Sequence, residues 1–202
     1  MNLSIRPEEE KDYRDVENLT REAFWNLYRS GCVEHLIVHN LRKTPAFVKE
    51  LSFVALDDNK IVGSIIYSKA KVITDENTEF EVLCMGPIGV LPPFQGQGIG
   101  SLLMNASAEK ARQLGFRCVI IFGNPVYYHR FGFKSASEYG IQTSTGENFE
   151  AFMALELRAG GLSGISGRFY EDKVFEVDPA ELEIFEKEFP YKEKLVTDTQ
   201  FK

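Results

Sequence analysis

A glycine-rich segment in the middle of the chain constrains the fold most strongly. Gly96, Gly98 and Gly100 stand at alternate positions, after an apolar run at 82–90 and before apolar residues at helical spacing. Residues 95–100 are therefore predicted to join a buried strand to a helix N-terminus. Backbone N–H groups there have no intrahelical acceptor and favour an anion, and glycine lets a phosphate approach the backbone closely.

Two common phosphate-binding loops do not fit this segment. A Walker A loop ends in Gly-Lys-Ser/Thr, whereas Gly100 is followed by Ser101-Leu102. A dinucleotide fingerprint needs the spacing G-x-G-x-x-G, whereas this segment has G-x-G-x-G in the middle of the chain. The pattern favours a pyrophosphate held without a loop lysine. A strand-to-helix connection that binds no ligand is the alternative.

Two motifs carry a family resemblance. Gln95-Gly-Gln-Gly-Ile-Gly100 resembles the Q/R-x-x-G-x-G/A signature of the GCN5-related N-acetyltransferases (GNAT). Further on, Tyr128 stands four residues before Gly132-Phe133, as in a second element of that family. The resemblance covers roughly residues 3–157, and the tail is similar to that of a bacterial branch with a C-terminal extension.

The resemblance implies a site for acetyl-CoA, with no metal. Pantetheine would pair along the strand at 80–90, and pyrophosphate would bind residues 95–100, which we call the glycine turn. The implied cofactor-binding residues are Ile88, Gly89, Val90, Gln95, Gly96, Gln97, Gly98, Ile99, Gly100, Ser101 and Asn124. Tyr128 matches the residue that protonates the departing thiolate, and a packing aromatic is the alternative reading. No general base is assigned, because Cys84 stands where some family members have a glutamate.

The expected function is acetyl-CoA-dependent transfer of an acetyl group to a primary amine of a small molecule or peptide by direct attack. The alternative is a non-catalytic acyl-CoA-binding module. A net charge of −7 argues against a nucleic-acid partner. The chain has no apolar run of membrane-spanning length, three scattered cysteines and a charged first segment, so we expect a cytoplasmic protein without a membrane partner. A homodimer is left open.

The pattern of apolar residues predicts an α+β fold, with a mixed, mainly antiparallel central sheet and helices on both faces (an α/β three-layer arrangement). The expected strands are 3–7, 51–57, 60–72, 80–90, 118–123, a segment from 133, and 152–157; the expected helices are 8–28, 34–42, one from Ile99, and one opened by Pro125. His35 and His39 lie at i, i+4 without an evident third ligand, so no metal site is expected.

We predict two domains. Residues 1–157 form the N-acetyltransferase domain, and residues 158–202 form a C-terminal extension. The extension consists of a glycine-rich loop at 158–167, a strand at 169–177 and a helix at 179–189 with Asp178 as its N-cap.

Overall fold

The computed structural model describes residues 2–200, which form two compact units. The first holds residues 2–66, 87–107 and 173–200, and the second holds residues 67–86 and 108–172. The domain boundary at residue 158 stays a prediction.

The described residues form strands and helices in the following order. The strands are β1 Leu3–Pro7, β2 Phe53–Asp57, β3 Lys60–Ile73, β4 Glu79–Val90, β5 Cys118–Phe122, β6 Lys134–Ser135, β7 Ile141–Gln142, β8 Phe152–Glu156 and β9 Gly167–Tyr170. The α-helices are α1 Tyr13–Phe24, α2 Glu34–Leu41, α3 Ile99–Gln113, α4 Pro125–Tyr128 and α5 Pro179–Glu186.

The first unit is built on an antiparallel meander. β1 pairs with β2, and β2 pairs with the first part of β3, with a register shift between Ala55 and Leu56. Val16 of α1 and Val38 of α2 pack with Val54 of β2 and Ile66 of β3 in one buried cluster. Burying these aliphatic side chains is worth roughly 1.5–3 kcal/mol each, which holds both helices on the sheet.

The second unit contains further pairings. β4 and β5 pair in parallel at Leu83↔Val119 and Cys84↔Ile120, while β5 and β8 pair antiparallel over five residues. β6 pairs antiparallel with β8, β9 pairs antiparallel with β3, and β7 pairs with β9 in parallel. The sheet is therefore mixed and mainly antiparallel, which confirms the predicted α+β class.

The first predicted helix is too long at both ends. Residues 10–12 form a separate 3-10 turn, in which the Asp12 carboxylate accepts from the Glu9 N–H at 2.9 Å and from Arg6 Nη2 at 2.8 Å. At the other end, Asn26 has φ +60°, a left-handed conformation that ends a helix. The Asn26 side-chain oxygen then accepts from the Gly31 N–H at 2.8 Å.

The C-terminal elements also differ from their predicted bounds. The strand expected at 169–177 is wrong beyond Tyr170, because residues 173–175 form a 3-10 turn. The last helix ends at Glu186 rather than residue 189, and Phe189 instead packs with Phe185 against Leu36 of α2. Asp178 is its N-cap, as predicted, and accepts from the Ala180 N–H at 2.9 Å. The strand expected from residue 133 is only two residues long.

A buried ionic contact joins α5 to α1 and α2. The Arg21 guanidinium, 2% exposed, donates from Nε and Nη2 to the two Glu186 carboxylate oxygens, both at 2.9 Å. His35 is fully buried, with Nε2 2.7 Å from Glu186 Oε1, at an angle outside that of a hydrogen bond. Burial lowers the pKa of His35 to about 4, because desolvation outweighs the attraction of Glu186.

Residues 193–197 lie along the connection between α1 and α2. Trp25 Nε1 and Asn26 Nδ2 donate to the Glu193 carbonyl oxygen at 2.9 and 3.1 Å. The Leu195 N–H donates to Asn26 Oδ1 at 3.1 Å, and Thr197 Oγ1 donates to the Asn26 carbonyl at 3.0 Å. Leu195 and Thr197 are therefore held by hydrogen bonds, whereas the polar composition after Lys194 predicts frayed residues.

The neutral His35 predicts a pH-dependent stability. In the unfolded chain a histidine has a pKa near 6.5, whereas folded His35 binds a proton only below about pH 4. The unfolded state therefore binds more protons in this window, and the free energy of unfolding falls as the pH decreases from about 6.5 to about 4. The total loss is about 3 kcal/mol, at 1.36 kcal/mol per pKa unit.

Chemical denaturation of the wild type and His35→Leu at about pH 7 and about pH 5 checks this prediction. The variant removes the titrating group, so its free energy of unfolding should fall less between the two pH values. Equal losses in both proteins would assign the pH dependence to other groups.

Candidate functional site

The glycine turn has the backbone that the sequence predicts. Between Val90 and Ile99 the chain forms a 3-10 turn at residues 92–94, and Gly96 and Gly98 follow with φ +74° and +85°. A Cβ added at either glycine would meet no heavy atom within 4 Å. Glycine is therefore required by the left-handed conformation and not by crowding, and the space beside the backbone is open.

Six consecutive N–H groups of this turn have no acceptor within the described part of the chain. They belong to residues 96–101. The Gln95 N–H donates to the Pro92 carbonyl at 3.3 Å, and the Leu102 N–H donates to the Gly98 carbonyl at 3.1 Å. The donor-rich segment thus begins one residue later than the sequence predicts. Clustered N–H groups at a helix N-terminus suit a pyrophosphate.

Side chains brace this turn from within the first unit. Gln95 Nε2 donates to the Val90 carbonyl at 3.0 Å, and Gln97 Nε2 donates to the Pro93 carbonyl at 3.1 Å. The two glutamines, expected to bind the cofactor, therefore use their side-chain amides to fix the loop. The backbone N–H of Gln97, rather than its side chain, is therefore available to a ligand.

The start of α3 is held against the sheet by close packing. Ile99 and Leu103 are 1% and 0% exposed. A Cβ on Gly63 of β3 would lie 2.8 Å from Ile99 Cγ2 and 3.1 Å from Leu103 Cδ1. Any larger residue at position 63 would push the helix N-terminus away. Sequence reasoning missed Gly63, although a glycine inside an apolar strand signals a close approach.

Strand β4 continues beyond its parallel pairing with β5. That pairing ends at Cys84↔Ile120, whereas β4 runs on to Val90. Within this last part, a Cβ on Gly89 would lie 3.3 Å from both Leu19 Cδ2 and Ala23 Cβ of α1. The second half of α1 therefore packs directly on the strand segment that the resemblance assigns to pantetheine.

Tyr128 ends α4 in the second unit. Asn124 is the N-cap of this helix and accepts from the Val126 N–H at 3.0 Å, and Pro125 occupies the first helical position as predicted. A Cβ on Gly123 would lie 2.2 Å from Tyr128 Cε2, so the missing side chain lets the phenol ring lie on the backbone. The ring also packs edge-on against Phe133 at 5.5 Å between centroids. The half-buried ring of Tyr128 is thus fixed in orientation.

Three titratable residues of β4, Glu79, Glu81 and Cys84, are not placed to act as a base. Glu79 and Glu81 form surface ion pairs with Lys71 at 2.8 Å and Lys69 at 3.2 Å. Burial raises the pKa of the Cys84 thiol, so it stays protonated. His129 Nδ1 donates to the Phe133 carbonyl at 2.9 Å. The general base remains unassigned.

In residues 2–200 no group of three or more His, Cys, Asp or Glu side chains is placed to hold a metal ion. His39 instead contacts Glu17 at 2.8 Å. Among the described helices, none is both long enough and apolar enough to span a bilayer.

Comparison with known proteins identifies the class. The Acetyltransferase (GNAT) family matches residues 8–133, which is more than half of the chain. The chain is 26% identical over 166 residues to the uncharacterized N-acetyltransferase YhbS of Escherichia coli K12, covering 82% of this chain and 93% of that protein. It is 27% identical over 126 residues to the uncharacterized N-acetyltransferase YjhQ, covering 62% and 66% of the two chains.

Solved structures agree in fold. The crystal structure of Escherichia coli YhbS in complex with CoA has a TM-score of 0.77 at 24% identity, covering 88% of this chain and 93% of that one. A GNAT family acetyltransferase from Brucella melitensis, in complex with acetyl-CoA, has a TM-score of 0.69 at 28% identity, covering 86% and 97%. This chain belongs to the GNAT family and is an N-acetyltransferase.

We predict that a negative charge in the turn prevents acetyl-CoA binding. Gly98→Asp places a carboxylate among the free N–H groups, where a pyrophosphate would meet a like charge. Gly98→Asn is the matched control, since asparagine has the same shape without the charge and tolerates a left-handed backbone. The dissociation constant for acetyl-CoA should rise at least about tenfold more for the aspartate variant. Equal affinities of the two folded variants would place the pyrophosphate elsewhere.

Proposed function

We propose that this N-acetyltransferase uses acetyl-CoA to acetylate a primary amine of a small molecule or peptide, by direct attack of the amine on the thioester. The observation that carries the proposal is the set of six free N–H groups at residues 96–101, beside glycines that leave open space. The CoA and acetyl-CoA found in the two solved relatives support this choice of acyl donor.

The other roles in the reaction, apart from that of the unassigned general base, are proposed for groups of this chain. The cofactor-binding residues are proposed to be Ile88, Gly89, Val90, Gln95, Gly96, Gln97, Gly98, Ile99, Gly100, Ser101 and Asn124. Acyl transfer places negative charge on the carbonyl oxygen, which a fixed backbone N–H stabilises. The backbone of residues 88–90 is proposed for this role and for pairing with pantetheine, in the manner of an added strand. Tyr128 is proposed to donate its hydroxyl proton to the leaving thiolate, since the ordinary pKa values of a phenol and a thiol lie close together.

An acyl-CoA-binding module without turnover is the alternative, and no observation favours it. Release of free thiol from acetyl-CoA across a panel of amines separates the two functions, because a binding module releases none above the rate without protein. The panel also identifies the acceptor. A cytoplasmic location and a bacterial source remain predictions, and a homodimer is left open.

Tyr128→Phe is expected to lower kcat by roughly 10²–10⁴-fold, the usual contribution of a positioned acid, when chemistry limits the rate. Acetyl-CoA affinity and stability should change little, because the ring and its packing are kept. The loss should be smaller for a thioester whose thiol is more acidic.

Tyr127→Phe is the matched control, since that neighbouring ring packs edge-on against Tyr128 at 4.9 Å. Its kcat should stay near that of the wild type. If Tyr128→Phe turns over as fast as Tyr127→Phe, the proton comes from another group and Tyr128 is a packing residue.

A further inference from the structure

The first unit contains an oriented histidine that the proposed acetyl transfer does not use. Glu17 of α1 is 5% exposed, and its carboxylate accepts from Arg14 and Arg42, each at 3.2 Å. His39 Nδ1 lies 2.8 Å from Glu17 Oε1, and its ring packs on Phe185 at 4.6 Å. Because an ionised carboxylate only accepts hydrogen bonds, Nδ1 carries the proton and Nε2 carries the lone pair.

That lone pair faces an amine. Lys43 Nζ lies 2.7 Å from His39 Nε2. Both residues, with Tyr13 and Glu17, line a cavity of about 480 Å³. Lys43 is exposed, and within the described residues no carboxylate lies within ion-pair distance of its ammonium. Lys43 as the nucleophile, His39 as the base and Glu17 as the carboxylate that orients the base are therefore connected by successive hydrogen bonds.

We propose that Lys43 is an acylation site, at which its amine takes an acetyl group from acetyl-CoA with His39 as the general base. Lys43 is exposed beside this cavity, so that a thioester in solution can reach its amine. This reaction uses neither the glycine turn nor Tyr128, so it is separate from the proposed acetylation of an external amine.

The step balances without a further reactant. His39 Nε2 takes a proton from Lys43 Nζ, and the neutral nitrogen attacks the thioester carbonyl carbon. The C–N bond forms and the C–S bond breaks, leaving an amide on Lys43. The ammonium loses two protons in all: one goes to the thiolate to give the free thiol of CoA, and the other goes to water.

Other lysines provide internal controls because they have no such base. Lys187 Nζ lies 3.6 Å from the Glu183 carboxylate and has no histidine partner within the described residues. Lys134 is exposed on β6 and has no polar side-chain partner within the described residues. Differences in acetylation among these lysines therefore report the effect of His39.

The experiment incubates the protein with acetyl-CoA and measures the acetylation rate of each lysine by mass spectrometry. Lys43 should react at least about a hundredfold faster than Lys134 and Lys187, at the low end of what a positioned base contributes. His39→Gln keeps hydrogen-bonding capacity but removes the base, and should lower Lys43 to the rate of Lys134. Gly98→Asp should leave the Lys43 rate unchanged while abolishing acetylation of external amines.

Three results would overturn the proposal. They are equal rates at the three lysines, an unchanged Lys43 rate in His39→Gln, and loss of Lys43 acetylation in Gly98→Asp, which would assign the reaction to the glycine-turn site. Added imidazole should restore Lys43 acetylation in His39→Ala, relative to Lys134, and failure of this rescue would also count against a base. These results do not depend on whether an external amine is acetylated.

Discussion

The close approach of α3 to β3 is the constraint on which the glycine turn depends. Ile99 and Leu103 hold the first turn of α3 over Gly63, where a side chain would leave no room. Because packing fixes the helix start, its N–H groups need no side-chain cap and remain unpaired. A capped helix would be locally more stable and would have fewer donors for an anion. The start of α3 therefore leaves more N–H donors unpaired than a capped helix would.

The N-terminus of α4 differs from that of α3 because a side chain caps it. Asn124 caps the helix, so the donors there are partly satisfied, and glycine at position 123 serves a side chain instead of a ligand. The ring of Tyr128 rests where a Cβ would be. Glycines thus create two kinds of space in this chain, one open to solvent beside residues 96 and 98 and one filled by a phenol.

Local patterns predicted the elements whose signals are local. The glycine turn, Pro125 at the start of α4 and the Asp178 cap all depend on neighbouring residues, and the structure confirms them. The errors arose where contacts with residues distant in the sequence determine the bounds of an element. The extent of α1 depends on Arg6 and on the tail that bonds to Asn26, neither of which periodicity reveals.

For the candidate site, too, the sequence predicted the local features and missed those that depend on distant residues. Its glycine turn was evident from three alternate glycines, but the role of Gly63 required knowing what lies above β3. The side-chain roles of Gln95 and Gln97 also escaped the sequence, since an amide can face a ligand or its own loop. The Glu17–His39–Lys43 arrangement joins residues far apart in the chain, and only His39 and Lys43 share a helical spacing.

The ion pair between Arg21 and Glu186 has an evolutionary consequence. Glu186 lies beyond the family match, which ends at residue 133, whereas Arg21 lies within it. Replacing Glu186 alone would leave a buried guanidinium without its carboxylate, at a cost of roughly 3–5 kcal/mol, a large fraction of the stability of many domains. Replacing Arg21 alone would leave the carboxylate without its guanidinium. Substitutions at the two positions are therefore expected to occur together, so that a residue outside the family match is constrained by one inside it.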